Sequence, residues 1–131
     1  MLQTKLFKQT FGLLVVVGIL NFLATFLYLL WSLPGFDKLL HFLSGVFVSM
    51  TVFIYFQYNP IPKTKSDMIQ TAIVATFSIG IVWEIYELYF GITFFSDGII
   101  YITDTISDFV MDLLGAYAGA LYAFKLISEN K

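Results

Sequence analysis

Residues 11–33 read FGLLVVVGILNFLATFLYLLWSL and contain no charged side chain. A helix needs about 20 apolar residues to cross a hydrocarbon core of about 30 Å, and this run supplies them. Lys5 and Lys8 precede it, as in the basic start of a secretory signal peptide. The run is too long for the apolar region of such a peptide, and no small-residue cleavage pattern follows it. It reads as the first of a set of transmembrane helices.

Three more apolar stretches follow, at residues 39–58, 69–90 and 105–127. Backbone groups inside lipid must be paired within their own segment, so all four stretches are expected to be helices. The expected fold is all-α: a polytopic membrane protein with four transmembrane helices in one bundle, forming a single domain over residues 1–131. Composition agrees, with 59% hydrophobic and 12% charged residues. Soluble domains are about half apolar and about a quarter charged. A small soluble domain keeps too much surface wet to hide the difference.

Composition also excludes functions. The chain has no cysteine, hence no disulfide framework and no thiolate metal site. It has no arginine, so bidentate guanidinium clamps on phosphate are unavailable. A net charge of −2 gives no field that would attract nucleic acid.

The punctuation between stretches is legible. Leu33-Pro34-Gly35 ends the first, and Asn59-Pro60-Ile61-Pro62 ends the second. Residues 91–104 form a partly apolar link around Ser96-Asp97-Gly98, with the aromatic content expected of a segment in the membrane interface. Lys5, Lys8, Lys63, Lys65, Lys125 and Lys131 map to one side of a four-helix arrangement, and only Lys38 to the other. The positive-inside rule puts both termini in the cytoplasm. Asp37, Glu84, Glu87, Asp97, Asp104, Asp108 and Asp112 then map to the extracytoplasmic half.

That acidic half carries the chemistry. Asp104, Asp108 and Asp112 recur every four residues, so they share one helix face over roughly 12 Å of axis. Gly115 continues the stripe, and Gly119 extends it. Glu84 and Glu87 share a face with Gly80, and His41 lies one turn after Asp37 with Gly45 a turn further on. Small residues let helices approach closely, so these faces are expected to point inward. Ionisable groups at membrane depth are costly and mark functional sites. Six carboxylates beside one histidine and one lysine cannot all be charged in a dry site; a divalent cation or mobile protons must compensate them. His41, Glu84, Glu87, Asp108 and Asp112 are the candidate metal ligands, with Asp37 and Asp104 as supporting groups or helix caps. The oxygen-rich set suits Mg²⁺, Mn²⁺ or Ca²⁺, and His41 would also suit Zn²⁺ or Fe²⁺.

Plainer roles exist for some of these residues. Asp37 and Asp104 stand near helix starts and would serve as N-caps. Asp97 precedes glycine, as turn residues do. Lys38 would balance an acid at the interface, and Gly115 with Gly119 would simply pack.

Asp37-Lys38-Leu39-Leu40-His41-Phe42 resembles the D-K-x-x-H-F motif of VanZ-like membrane proteins. Trp83-Glu84-Ile85-Tyr86-Glu87 and Asp104-Thr105-Ile106-Ser107-Asp108 resemble the YjdF-like group of small bacterial membrane proteins. The resemblance implies a bacterial inner-membrane protein and supplies no mechanism.

Three function classes follow. One is a metal-dependent hydrolase of lipid headgroups or lipid-linked phosphates at the outer leaflet. Another is a proton or divalent-cation transporter, alone or as an oligomer. The third is a structural or accessory module in which the polar set only pins helices. Membrane lipids are the expected partners, and nucleic acid is not.

Overall fold

The structure, a computed structural model, describes residues 4–59 and 64–129. The Pro60-Ile61-Pro62 stop, together with Lys63 and Lys131 of the lysine asymmetry, lies outside the described residues. The described residues form helices α1 (Lys5–Phe26), α2 (Leu29–Ser32), α3 (Phe36–Tyr58), α4 (Lys65–Phe90) and α5 (Ile99–Glu129), with a 3-10 turn at Phe95–Asp97. Four of them, α1, α3, α4 and α5, are long and apolar enough to cross a membrane.

Local chemistry sets most of the ends. Thr4 caps α1, its hydroxyl accepting from the Phe7 amide at 3.2 Å. A capping box opens α4: the Thr64 hydroxyl accepts from the Asp67 amide, and the Asp67 carboxylate accepts from the Thr64 amide. Gly91, at φ 67°, closes α4 in the left-handed conformation that glycine reaches without a steric cost.

Several boundaries depart from expectation. The first span does not run unbroken to Leu33. It stops at Phe26, and Tyr28 turns the chain at φ 55° before the single turn of α2. A non-glycine residue in that region stores roughly 1–2 kcal/mol. Neither glycine nor proline marks the place, so apolar content alone runs straight through it. At the other end, α5 begins at Ile99 rather than Thr105, because the apolar link continues the helical ladder instead of lying along the interface. In addition, α3 and α4 start three and four residues before their apolar cores, at Phe36 and Lys65.

Packing is uneven. The pair α3–α5 forms the tightest seam. A Cβ on Gly45 would collide with the Asp112 carbonyl oxygen, and one on Gly115 with that of Phe42. Below this seam an apolar core joins Leu6, Met50, Phe53, Ala72, Ala120, Ala123 and Leu126. By contrast, α1 rests mainly on α3, touches α5 lightly, and makes no substantial contact with α4 among the described residues. Large apolar side chains such as Phe22, Val74, Val82, Ile85 and Tyr89 face outward. Water would penalise that surface, and lipid does not.

Candidate metal centre and its cavities

The seam fixes the site. Because α3 and α5 meet backbone to backbone at Gly45 and Gly115, the residues one and two turns beyond them face each other at close range. Helix α3 presents Asp37, Lys38 and His41, and α5 presents Asp104, Asp108 and Asp112.

Lys38 is the hub. Its Nζ donates to Asp104 at 2.6 Å, to Asp37 at 3.2 Å, and to Asp108. The Asp108 side chain is only 3% exposed, so this ammonium is its compensating charge in the interior. His41 stands one layer deeper. Its Nδ1 lies 3.2 Å from Asp112 Oδ1. Its Nε2 lies 3.8 Å from Asp37 Oδ1 and 3.7 Å from Asp108 Oδ1.

Asp37, His41 and Asp108 each offer one ligand atom, and the three atoms lie within 4.8 Å of one another. Two ligands at ~2.1 Å in a tetrahedral site are about 3.4 Å apart, close to the two histidine–carboxylate separations here. Asp112 completes a carboxylate–histidine pair: a proton on Nδ1, donated to Asp112, leaves the Nε2 lone pair facing Asp37 and Asp108.

His41 and Asp108 fall in the cluster. Asp37, expected as support or cap, stands beside them, while Asp112 backs the histidine. Gly35 rather than Asp37 is the N-cap of α3, and Asp104 lies inside α5. The two glutamates stand outside this three-ligand group. Glu84 Oε2 accepts from Thr105 Oγ1 at 2.8 Å, and its buried Oε1 has no hydrogen-bond partner among the described residues. Glu87 Oε1 accepts from Trp83 Nε1 at 2.9 Å. Sequence reasoning missed Lys38 as the centre. The signal was there, since Lys38 and His41 are three apart and share a helix face.

Two cavities meet at the cluster. One, of about 570 Å³, fills the space between α1, α3 and α4. Apolar residues such as Leu14, Val17, Phe22, Val48 and Ile79 line most of it, and Asp37, His41, Glu87 and Asp112 close its upper end. The other, of about 270 Å³, is a vestibule walled by Asp37, Lys38, Glu87, Thr93, Asp97, Tyr101 and Asp104. Leu30, Asp37, Glu87 and Ile92 border both.

Residues 3–129 match the family model described as "Predicted membrane protein (DUF2238)". No curated protein and no solved structure matches the chain.

Proposed function

We propose, for a chain that belongs to the YjdF-like family of predicted membrane proteins, a divalent cation held by Asp37, His41 and Asp108 and used on the polar end of a lipid substrate. The carrying observation is the His41 arrangement, with Nδ1 on Asp112 and Nε2 facing two carboxylate oxygens at 3.7 and 3.8 Å. Structural and catalytic zinc sites use this pairing to fix ring orientation and tautomer. The VanZ-like resemblance adds nothing to this reading.

A cation there would act as a Lewis acid on a phosphoryl or carbonyl oxygen. The chain's own groups divide the remaining work. Asp112 holds the imidazole. Lys38 bonds Asp104, Asp37 and Asp108 together and offsets part of their negative charge. Glu87 borders both cavities, its Oε1 held by the Trp83 indole, and it is placed to take a proton from water entering from the vestibule. Hydrolysis at a lipid headgroup is the reaction class that fits a polar site at the head of an apolar cavity. Lys5, Lys8, Lys65 and Lys125 lie toward the opposite ends of their helices, supporting a site on the extracytoplasmic side of a bacterial inner membrane.

One observation favours a second reading. Asp104, Lys38, Asp108, His41 and Asp112 form a nearly continuous polar chain, as proton relays do. Below Asp112 the packed Gly45 and Gly115 seam interrupts it, which favours a site over a path.

The test is metal content. The full chain, purified in mild detergent without chelator and incubated with Mg²⁺, Mn²⁺ or Zn²⁺, is expected to hold about one ion per chain by elemental mass spectrometry. Asp108→Asn and His41→Gln should lose it, whereas Glu84→Gln should retain it. No ion in the wild type under any of the three conditions would remove the metal reading and leave the relay.

A further inference from the structure

The cavities distinguish among lipids, and we infer that the site takes a phospholipid whose headgroup ends in a primary amine. One acyl chain lies between α1 and α4, and the ammonium lies in the vestibule. The inference rests on the metal reading only for the phosphate; the chain and the amine are argued separately.

The apolar cavity has the size of a ligand site rather than of a packing defect, since ligand pockets run from about 300 to about 1,000 Å³. It lies where α1 and α4 fail to pack, so its side faces the lipid from which a substrate would come. Leu30 of the short α2 borders the cavity beside Asp37. A buried polar group lies on the same wall. Thr76, 2% exposed, lines this cavity with a hydroxyl that has no hydrogen-bond partner among the described residues. The vestibule repeats the pattern, because Thr93 Oγ1 on its wall is buried and equally unpartnered.

Charge chooses the headgroup. Asp37, Glu87, Asp97 and Asp104 face the vestibule against the single cation Lys38. Carboxylates only accept hydrogen bonds, so the wall offers acceptors in excess. A primary ammonium brings three N–H donors and one positive charge. A trimethylated amine brings the charge without donors, and a glycerol headgroup brings donors without the charge. An ammonium beyond a phosphate spans the two positions available, with the phosphate toward Asp37 and His41 at the polar end of the apolar cavity and the amine toward Asp97 and Asp104 in the vestibule.

The experiment is native mass spectrometry of the full chain in detergent with equimolar dioleoyl phosphatidylethanolamine, phosphatidylcholine and phosphatidylglycerol. The ethanolamine lipid is expected to be retained at least tenfold over each of the others. Gly18 lines the cavity, and a Cβ there meets nothing within 4 Å. Gly18→Leu should therefore fill the cavity from α1 and cut retention about tenfold while metal content stays unchanged. Val17→Phe does the same from the neighbouring position and serves if Gly18→Leu fails to fold. Asp97→Asn should lower the preference for ethanolamine over glycerol several-fold. Equal retention of all three lipids would overturn the amine assignment, and retention unaffected by either filling variant would overturn the chain assignment. Metal content of the same samples separates the two readings. Ethanolamine preference without metal would sink the metal reading alone, and metal without preference would sink this inference alone.

Discussion

The two sides of the bundle are built by opposite rules. Between α3 and α5, glycines bring the backbones together until no added atom would fit. Between α1 and α4, a gap of about 570 Å³ stays open, and a Cβ on Gly12 or Gly18 meets nothing. The contrast teaches that precision and access are supplied separately. The tight seam holds six ionisable side chains in register without help from flexible loops. The loose side leaves that register open to lipid. A uniformly tight bundle would seal the cluster, and a uniformly loose one would let its charges drift apart.

The comparison breaks first at the seam. Gly115→Leu places a branched side chain into the Phe42 backbone, and the predicted result is loss of folded protein, a cost of about 3 kcal/mol or more. Thermal melting in detergent would show it, and a melting temperature unchanged from wild type would mean the seam is far looser than described.

Removing the hub comes next. Lys38→Met leaves Asp108, almost fully buried, without its cation. Stranded buried charges cost about 3–5 kcal/mol. The partial exposure of Lys38 and Asp104 puts this case at the lower end, about 3 kcal/mol. Added Zn²⁺ or Mn²⁺ should restore most of that stability, since a divalent ion can compensate the same carboxylates. Destabilisation with no rescue by any divalent ion would turn the cluster into a purely structural ion-pair network.

A smaller effect is expected one layer deeper. Asp112→Asn keeps the shape near His41 but weakens its hold on the ring, and metal affinity should fall about 10–100-fold with the fold intact. Isothermal titration with Zn²⁺ would measure it; an unchanged affinity would mean that Asp112 only packs against Gly80.

The smallest stability change belongs to the loose side. Gly18→Leu should shift stability by no more than about 0.5 kcal/mol, because the new side chain enters open space. A large loss there would mean that α1 and α4 pack closely in the bilayer, and the contrast between the two sides would disappear.

Individual residues show how far the sequence reached. The apolar stretches and their inward glycines were readable because hydropathy and helical periodicity are local properties. His41 and Asp108 were readable as site residues because intramembrane ionisable groups are rare. The same grounds include Glu84 and Glu87, which lie outside the three-ligand group and bond Thr105 and Trp83. Lys38 reads in the sequence as an interfacial counter-charge, and in the structure it touches three carboxylates.

The sequence by itself determined four helices that cross a membrane, a carboxylate-rich half, and an acidic stripe on the last helix. Each follows from residue type and spacing along one chain segment. Tertiary structure decided which of the seven acids in that half meet, that a lysine stands at their centre, that the first helix breaks at Tyr28, and that a cavity separates α1 from α4. A helical face fixes direction around one axis. The depth and rotation at which two axes meet depend on steric contacts between distant residues, here Gly45 on Asp112 and Gly115 on Phe42. Such contacts form only when the helices pack.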